Sequence, residues 1–197
     1  MIVSRKKAIW ILMACAAVLL TVGICSIFFS RRVDFDLDFE PAALADVSIE
    51  IYKQERRLDL LSNGEVIASY RIGLGFSPEG HKHREGDGKT PEGEYYVCTR
   101  NNRSRYYLSL GLSYPNIADA KTGLDESAIS QKQYDSIETA INAQKQPDWY
   151  TPLGGEIMIH GHGGGSDWTL GCIAVDNQVM DILWACCKLK TPVTIFP

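Results

Sequence analysis

The sequence predicts a mainly β protein with a few helices, an α+β fold arranged as a small sandwich or barrel behind one membrane-spanning helix. Three observations predict it. An uncharged apolar run extends from Ala8 to Phe29, short segments with a two-residue hydrophobic period alternate with turn signals after residue 46, and two stretches show helical periodicity. We therefore divide the chain into residues 1–30, a membrane helix with a short cytoplasmic tail, residues 31–46, an acidic stem, and residues 47–197, a folded domain.

The membrane helix is predicted from the length of the apolar run. At about 1.5 Å per residue, the run from Ala8 to Phe29 can cross a bilayer core of about 30 Å. No small-residue cleavage site of a secretory signal peptide follows it. A lipoprotein cysteine at Cys25 and a buried soluble helix are the alternatives. Because basic residues 5–7 precede the run, we expect a cytoplasmic N-terminus, a single pass through the inner membrane and a domain in the periplasm.

The acidic stem connects this helix to the domain. Between residues 31 and 46, four acidic side chains alternate with apolar ones, which would also suit a strand. The density of acidic residues and the presence of Pro41 favour a tether or a segment docked on the domain surface.

Eight strands are predicted in the domain from alternating apolar and polar residues or from short apolar runs, with turn signals between them. Asn63-Gly64 between the second and third strands is typical of a hairpin, because both residues tolerate positive φ. The predicted ranges are 47–52, 58–61, 65–74, 95–99, 106–112, 156–159, 172–175 and 193–196.

Two helices are predicted among these strands. Apolar residues lie on one face of a helix from Ser130 to Ala143, and Asp176 is a candidate N-cap for a second helix. A long polar, glycine-rich segment from Phe76 to Gly93 has two interpretations. It is a solvated loop, or it is a wall of a substrate groove kept in order by Pro91 and the turn-forming Asp87-Gly88.

Composition argues against some classes of function. The formal net charge of −4 gives no reason to expect nucleic-acid binding. The glycine-rich residues 161–165 lack the lysine and the following helix of a phosphate-binding loop, and we expect no cofactor. Of the cysteines outside the apolar run and residue 172, Cys98 pairs with Cys186 or Cys187, or all three are buried free thiols.

A candidate nucleophile and base lie between Glu156 and Val175. His160 ends one short apolar run, a glycine-rich loop follows, and Cys172 begins a second run. A neighbouring imidazole raises the population of the reactive thiolate. The alternatives are a small buried cysteine with a histidine in a turn, and a zinc site. The four residues of zinc-ligand type lack any standard ligand spacing, so we expect no metal; they are His160, His162, Asp167 and Cys172.

These residues resemble the signature of YkuD-type L,D-transpeptidases, in which histidine-glycine is followed by serine or threonine, any residue, glycine and cysteine. His160-Gly161 matches the first half and the run from Thr169 to Cys172 matches the second. Segments 86–93, 109–116 and 151–161 match the family in order, so the resemblance covers roughly residues 47–197. The chain departs from many members at Leu170, where they have histidine, and at Ala174, where they have arginine or asparagine.

The resemblance implies a YkuD-like β-sandwich or barrel and acyl transfer through a thioester. Cys172 would attack a carbonyl of a peptidoglycan stem peptide, and His160, oriented by a backbone carbonyl near Gly161, would carry the proton. The backbone amides of Leu170, Gly171 and Cys172 would bind the oxyanion. Further substrate contacts are expected from Tyr114, His162, Asp167, Trp168 and Thr169.

The acyl acceptor stays open at this point. An amine of another stem peptide would give a wall cross-link, and an amine of a wall-anchored lipoprotein would give lipoprotein attachment. Water would make the protein an endopeptidase or carboxypeptidase instead. A wall-binding module without activity is the alternative from another class of function.

Overall fold

One mixed sheet of eight strands organises residues 39–197, the part of the chain that the computed structural model describes. The strand order is β3-β2-β1-β8-β4-β5-β6-β7. The strands are β1 (Ser48–Tyr52), β2 (Arg57–Ser62), β3 (Glu65–Arg71), β4 (Gly93–Ser104), β5 (Tyr107–Leu112), β6 (Met158–His160), β7 (Ile173–Ala174) and β8 (Pro192–Phe196). The helices are a 3₁₀ turn (Pro41–Ala43), α1 (Ile117–Asp125), α2 (Gln131–Asn142) and α3 (Asn177–Cys186).

The sheet is mostly antiparallel, with parallel pairs between β1 and β8 and between β6 and β7. Its apolar face forms the core, where Ile49, Leu60, Leu110 and similar side chains have no exposed surface. An isolated bridge between Gly73 and Ala174 joins the chain after β3 to β7. The two edge strands of the sheet, β3 and β7, therefore approach each other there. The prediction of a mainly β fold with a few helices is confirmed, in the form of a half-barrel.

All eight predicted strands are present with ends shifted by a few residues, except that β4 continues to Ser104. Its last part is polar and lacks alternation, but it pairs with β5 in a hairpin. The predicted hairpin at Asn63-Gly64 is also confirmed, because both residues have positive φ between paired strands.

Two of the three α-helices were predicted. Ser130 caps α2 through a reciprocal capping box, and Asp176 occupies the N-cap position of α3 without a side-chain bond. The helix α1 was not predicted, because it buries few apolar side chains. Asn116 and Asp119 start it with a second capping box, in which each side chain accepts the other's backbone N–H.

The predicted membrane helix and most of the stem lie in residues 1–38, outside the described residues. Within residues 39–197, no helix is both long enough and apolar enough to cross a membrane. The last stem residues contact the domain, since Ser62 Oγ donates to the Ala45 carbonyl at 2.8 Å. Cys98, Cys186 and Cys187 are free thiols, as in the second of the two predicted alternatives, although only Cys186 and Cys187 are buried and Cys98 is half-buried.

Candidate active site

Cys172 and His160 face one groove of about 470 Å³. His160 ends β6, and Cys172 immediately precedes β7, the parallel neighbour of β6. Ile159 is opposite Ile173, and His160 is opposite Ala174. If this register continues by one residue, Cys172 lies beside Met158. Met158 and His160 are two residues apart on one strand and so share a face, which places Cys172 on the same face as His160. The pairing of two short strands therefore brings the sulfur and the imidazole to one surface.

His160 is buried and held in one tautomer. Its Nδ1 lies 2.7 Å from the Gly161 carbonyl oxygen. A carbonyl only accepts, so Nδ1 carries the hydrogen and Nε2 keeps a free lone pair. Burial lowers the pKa of His160, the Gly161 hydrogen bond opposes this, and His162 lowers the pKa further. The imidazole is therefore neutral at pH 7 and able to accept a proton.

Two aromatic rings fix the position of this imidazole. The ring of Tyr106 stacks on it with 4.7 Å between centroids and 26° between planes. The ring of Trp168 meets it edge-on at 5.6 Å. Tyr106 itself immediately precedes β5, which pairs with β6, so the sheet positions both members of the stack.

Cys172 is held as a thiol by the backbone. Its Sγ donates to the Glu156 carbonyl and accepts from the Met158 amide, both at 3.4 Å. Burial raises the pKa of the Cys172 thiol to about 11, although the Met158 amide and the charge of Lys82 act in the opposite direction. The resting sulfur is therefore protonated at pH 7, and its reaction requires a base.

Thr169 shapes the turn that leads to the cysteine. Its buried Oγ1 donates to the Cys172 carbonyl at 2.7 Å and accepts from the Gly171 amide at 3.1 Å. Gly171 has a φ of +137°, and a Cβ there would lie 2.6 Å from the Lys89 carbonyl oxygen, so only glycine fits. Because the Gly171 amide already donates to Thr169, the candidate donors for an oxyanion are the backbone amides of Leu170 and Cys172.

Asp167 is directed away from the groove. Its carboxylate accepts from Arg56 Nη2 at 2.7 Å and from the Leu74 amide at 3.0 Å. Burial alone would raise the pKa of Asp167, but the bonds from Arg56 and Leu74 lower it below the usual value. Asp167 therefore anchors the glycine-rich loop to the turn after β1 and to the segment after β3.

The other predicted substrate contacts are divided between the groove and the rest of the domain. Trp168 and Thr169 line the groove. His162 is exposed, has a φ of +77° and is not among the groove-lining residues. Tyr114 is placed in the core instead, with no exposed surface and its hydroxyl donating to the Leu153 carbonyl at 3.0 Å. A ring with no exposed surface cannot contact a substrate in this conformation.

The glycine-rich segment 76–93 forms one wall of the groove. Lys82, Glu85 and Gly86 line it. Asp87 keeps the wall in order, since its carboxylate accepts from the backbone amides of residues 83, 84 and 89 and from Lys82 Nζ. Although burial would raise the pKa of Asp87, these bonds lower it below its usual value. The second interpretation of this segment, a groove wall, is the one that the structure shows.

Several lining residues were not predicted. Tyr106 is the first residue of the predicted strand 106–112, but the alternation of that strand does not mark its ring as part of a groove. Trp149 and Tyr150 lie in irregular chain before β6, where periodicity gives no signal. In residues 39–197, no three histidine, cysteine, aspartate or glutamate side chains are gathered as metal ligands.

The chain is similar in sequence to one known family and to a curated relative. Residues 46–195 match the family model of the L,D-transpeptidase catalytic domain. The chain is 32% identical over 142 residues to YafK of Escherichia coli, a protein provisionally assigned as an L,D-transpeptidase; the match covers 68% of this chain and 44% of that protein. The chain therefore spans less than half the length of this curated relative.

Two solved structures have a similar fold. Bd1075 of Bdellovibrio bacteriovorus is 24% identical with a TM-score of 0.52, over 79% of this chain and 49% of that one. The helical cell shape determining protein Pgp2 of Campylobacter jejuni is 23% identical with a TM-score of 0.50, over 76% of this chain and 46% of that one. At these identities the likeness concerns the fold alone.

Proposed function

The chain belongs to the family of L,D-transpeptidase catalytic domains, which are cysteine-dependent enzymes, and from this premise we propose that it is a peptidoglycan L,D-transpeptidase. The proposed acyl donor is a stem peptide that ends in a D-amino acid. The observation that supports the proposal most directly is the common groove shared by a thiol, Cys172, and a neutral imidazole, His160, whose Nε2 is free.

In the first step, His160 Nε2 takes the proton of Cys172, and the thiolate attacks the carbonyl carbon of the donor. The carbon–nitrogen bond then breaks, His160 returns the proton to the departing D-amino acid, and a thioester remains. The Met158 amide favours this step, because it donates to sulfur and its bond strengthens when the sulfur becomes anionic.

The tetrahedral intermediate needs donors for its oxyanion. With the Gly171 amide bound to Thr169, we assign this role to the amides of Leu170 and Cys172. One such donor typically stabilises the transition state by about 3 kcal/mol. In the second step, an acceptor amine attacks the thioester, His160 takes the proton of that amine, and Cys172 leaves as a thiol.

The acceptor defines the product. An amine on a second stem peptide gives a cross-link, an amine on a wall-anchored lipoprotein gives attachment, and water gives hydrolysis. The decisive experiment incubates the full-length protein in detergent with purified tetrapeptide muropeptides. Cross-linked dimers support the transfer that we propose, and shortened monomers alone would reassign the protein as a hydrolase.

Two variants test the assigned roles. Cys172→Ala removes the nucleophile and should abolish both turnover and the acyl-enzyme adduct seen by intact-protein mass spectrometry. His160→Gln should abolish turnover because a glutamine cannot accept the proton. A wild-type protein that forms no adduct and leaves the muropeptides unchanged would refute the proposed function.

We also propose that residues 8–29 anchor the protein in the inner membrane with its catalytic domain in the periplasm, where the proposed substrate lies. The support is the uncharged apolar run and the basic residues before it. Protease added to spheroplasts should digest the domain if it faces outward. Full protection, with digestion only after lysis, would contradict this topology.

A further inference from the structure

Lys82 is a buried cation in the wall of the groove. Its side chain is 3% exposed, yet it lines the same groove as Cys172 and His160. Nζ donates to the Asp87 carboxylate at 2.8 Å and to the Arg84 carbonyl at 2.9 Å. An ammonium group has three N–H donors, so these two bonds leave one.

The bond to Asp87 does not by itself account for a lysine at this position. Asp87 already accepts from three backbone amides, which satisfy a carboxylate and fix the loop without any side chain. Burying an ammonium group carries a desolvation cost that an ion pair only partly offsets. A lysine buried at the edge of a groove that holds a thiol and an imidazole is therefore a candidate for a functional group.

A second buried lysine in the same domain makes an instructive comparison. The Lys53 side chain is also 3% exposed and also binds a carboxylate, Glu92, at 2.7 Å. Its Nζ further donates to the carbonyls of Gly80 and Thr90, so it supports the same loop from another side. Lys53 does not line the groove. The two lysines thus have matched burial and one carboxylate partner each, but Lys53 uses all three of its N–H donors within the loop, whereas Lys82 uses two and lines the groove.

The charges around the groove indicate what Lys82 could bind. Among the described residues that line the groove, Lys82 is the only basic one apart from the neutral His160, whereas Glu85 and Glu156 are acidic. The two glutamates would repel an anionic ligand unless a nearby cation neutralised the charge of that ligand. Lys82 has both that charge and a remaining N–H.

We propose that Lys82 forms a carboxylate-binding subsite for the acyl donor beside Cys172. This inference rests on the proposed function, because the donor's carboxylates come from stem peptides. Two sources share this chemistry: the free carboxylate of the diaminopimelate D-centre, and the carboxylate of the terminal D-amino acid. The ammonium would orient the donor so that the bond to be broken lies over the sulfur.

Three donors distinguish the two carboxylates: the tetrapeptide muropeptide with both carboxylates free, one amidated at diaminopimelate, and one amidated at the terminal residue. For the wild type, amidation of the bound carboxylate should lower kcat/KM by about 10- to 100-fold, mostly through KM, as expected for a hydrogen bond to a charged group. Amidation of the other carboxylate should have little effect. This arm needs no change to Lys82.

The variants are Lys82→Met, Lys82→Arg and the matched control Lys53→Met. Lys82→Met should lower kcat/KM for the donor with free carboxylates by about the same factor as amidation does in the wild type. In this variant, kcat/KM should be the same for the free donor and for the amidated donor. Lys82→Arg should restore the distinction. Lys53→Met should lower the melting temperature but still distinguish the donors as the wild type does.

The same comparison is made by calorimetric binding in the Cys172→Ala background, so the subsite is tested without turnover. Equal binding of free and amidated donors by protein that retains Lys82 would overturn the subsite. So would a Lys82→Met protein that still distinguishes the donors. Preferential binding of the free donor without turnover by the intact enzyme would support the subsite while refuting the proposed reaction.

Discussion

Thr169→Val should destabilise the domain although it barely changes the shape of the side chain. The buried hydroxyl of Thr169 makes two hydrogen bonds, to the Cys172 carbonyl at 2.7 Å and from the Gly171 amide at 3.1 Å. Each bond contributes about 1 kcal/mol net, and a buried group left without a partner costs about 1–3 kcal/mol. We therefore expect the free energy of unfolding to fall by about 2–4 kcal/mol.

Urea denaturation measures this loss. With an m-value of about 2 kcal/mol/M, the midpoint should fall by about 1–2 M at unchanged m. Thr169→Ser is the matched control, because it keeps the hydroxyl and removes only a methyl group. A valine variant as stable as the serine variant would refute the reasoning, since the lost hydroxyl would then carry no stability.

Three further predictions concern the thiol, the core and the closure of the sheet. The rate of alkylation of Cys172 by iodoacetamide should rise with pH towards a midpoint near 11, because only the thiolate reacts and burial raises the pKa of the thiol. The Cys172→Ala protein gives the background rate. A rate that reaches its plateau below pH 7 would contradict a thiol resting state. Tyr114→Phe should lower the free energy of unfolding by about 0.5–1.5 kcal/mol through loss of one hydrogen bond, with kcat/KM unchanged; a large rise in KM would return Tyr114 to the substrate site. Gly73→Ala should unfold at a markedly lower urea concentration, because its Cβ would lie 2.1 Å from the Ser166 carbonyl oxygen. In the control Gly165→Ala the new Cβ meets no atom within 4 Å, so its urea midpoint should stay that of the wild type. Equal midpoints for the two variants would show that the loop at residue 166 moves to make room for the methyl group.

The sequence was sufficient for features that depend on local patterns. Alternation and short apolar runs located all eight strands, and the runs that end at His160 and begin at Cys172 predicted the pair that the groove shares. The carbonyl predicted to orient the imidazole is that of Gly161. These predictions succeeded because neighbouring parallel strands need only a short stretch of sequence to specify their common face.

Features that depend on distant contacts could not be predicted. The family resemblance predicts Asp167 as a substrate contact, but Arg56, which is 111 residues away along the chain, binds the carboxylate outside the groove. Trp149 reaches the groove from a segment without periodicity, and Tyr106 reaches it from the first position of the predicted strand 106–112. Tyr114 follows β5 in a motif shared with the family, and no pattern in one sequence distinguishes a core ring from a binding ring.

The two departures from the family signature have different structural settings. Leu170 is 75% exposed on the rim of the groove, so histidine or leucine there changes what the groove presents to a ligand without affecting the core. Ala174 has no exposed surface, and its backbone exchanges two hydrogen bonds with Gly73, at 2.8 and 2.9 Å. A longer side chain would need space that this close approach of the two ends of the sheet does not offer.

Neither departure affects the proposed path of the proton. The Cys172 thiol is held by the backbone of Glu156 and Met158, and the His160 tautomer is held by the Gly161 carbonyl. These contacts use main-chain atoms, which a side-chain replacement at position 170 or 174 leaves in place. If the proposed function holds, the departures should therefore alter which donor or acceptor the groove admits and should leave the proposed roles of the sulfur and the imidazole unchanged.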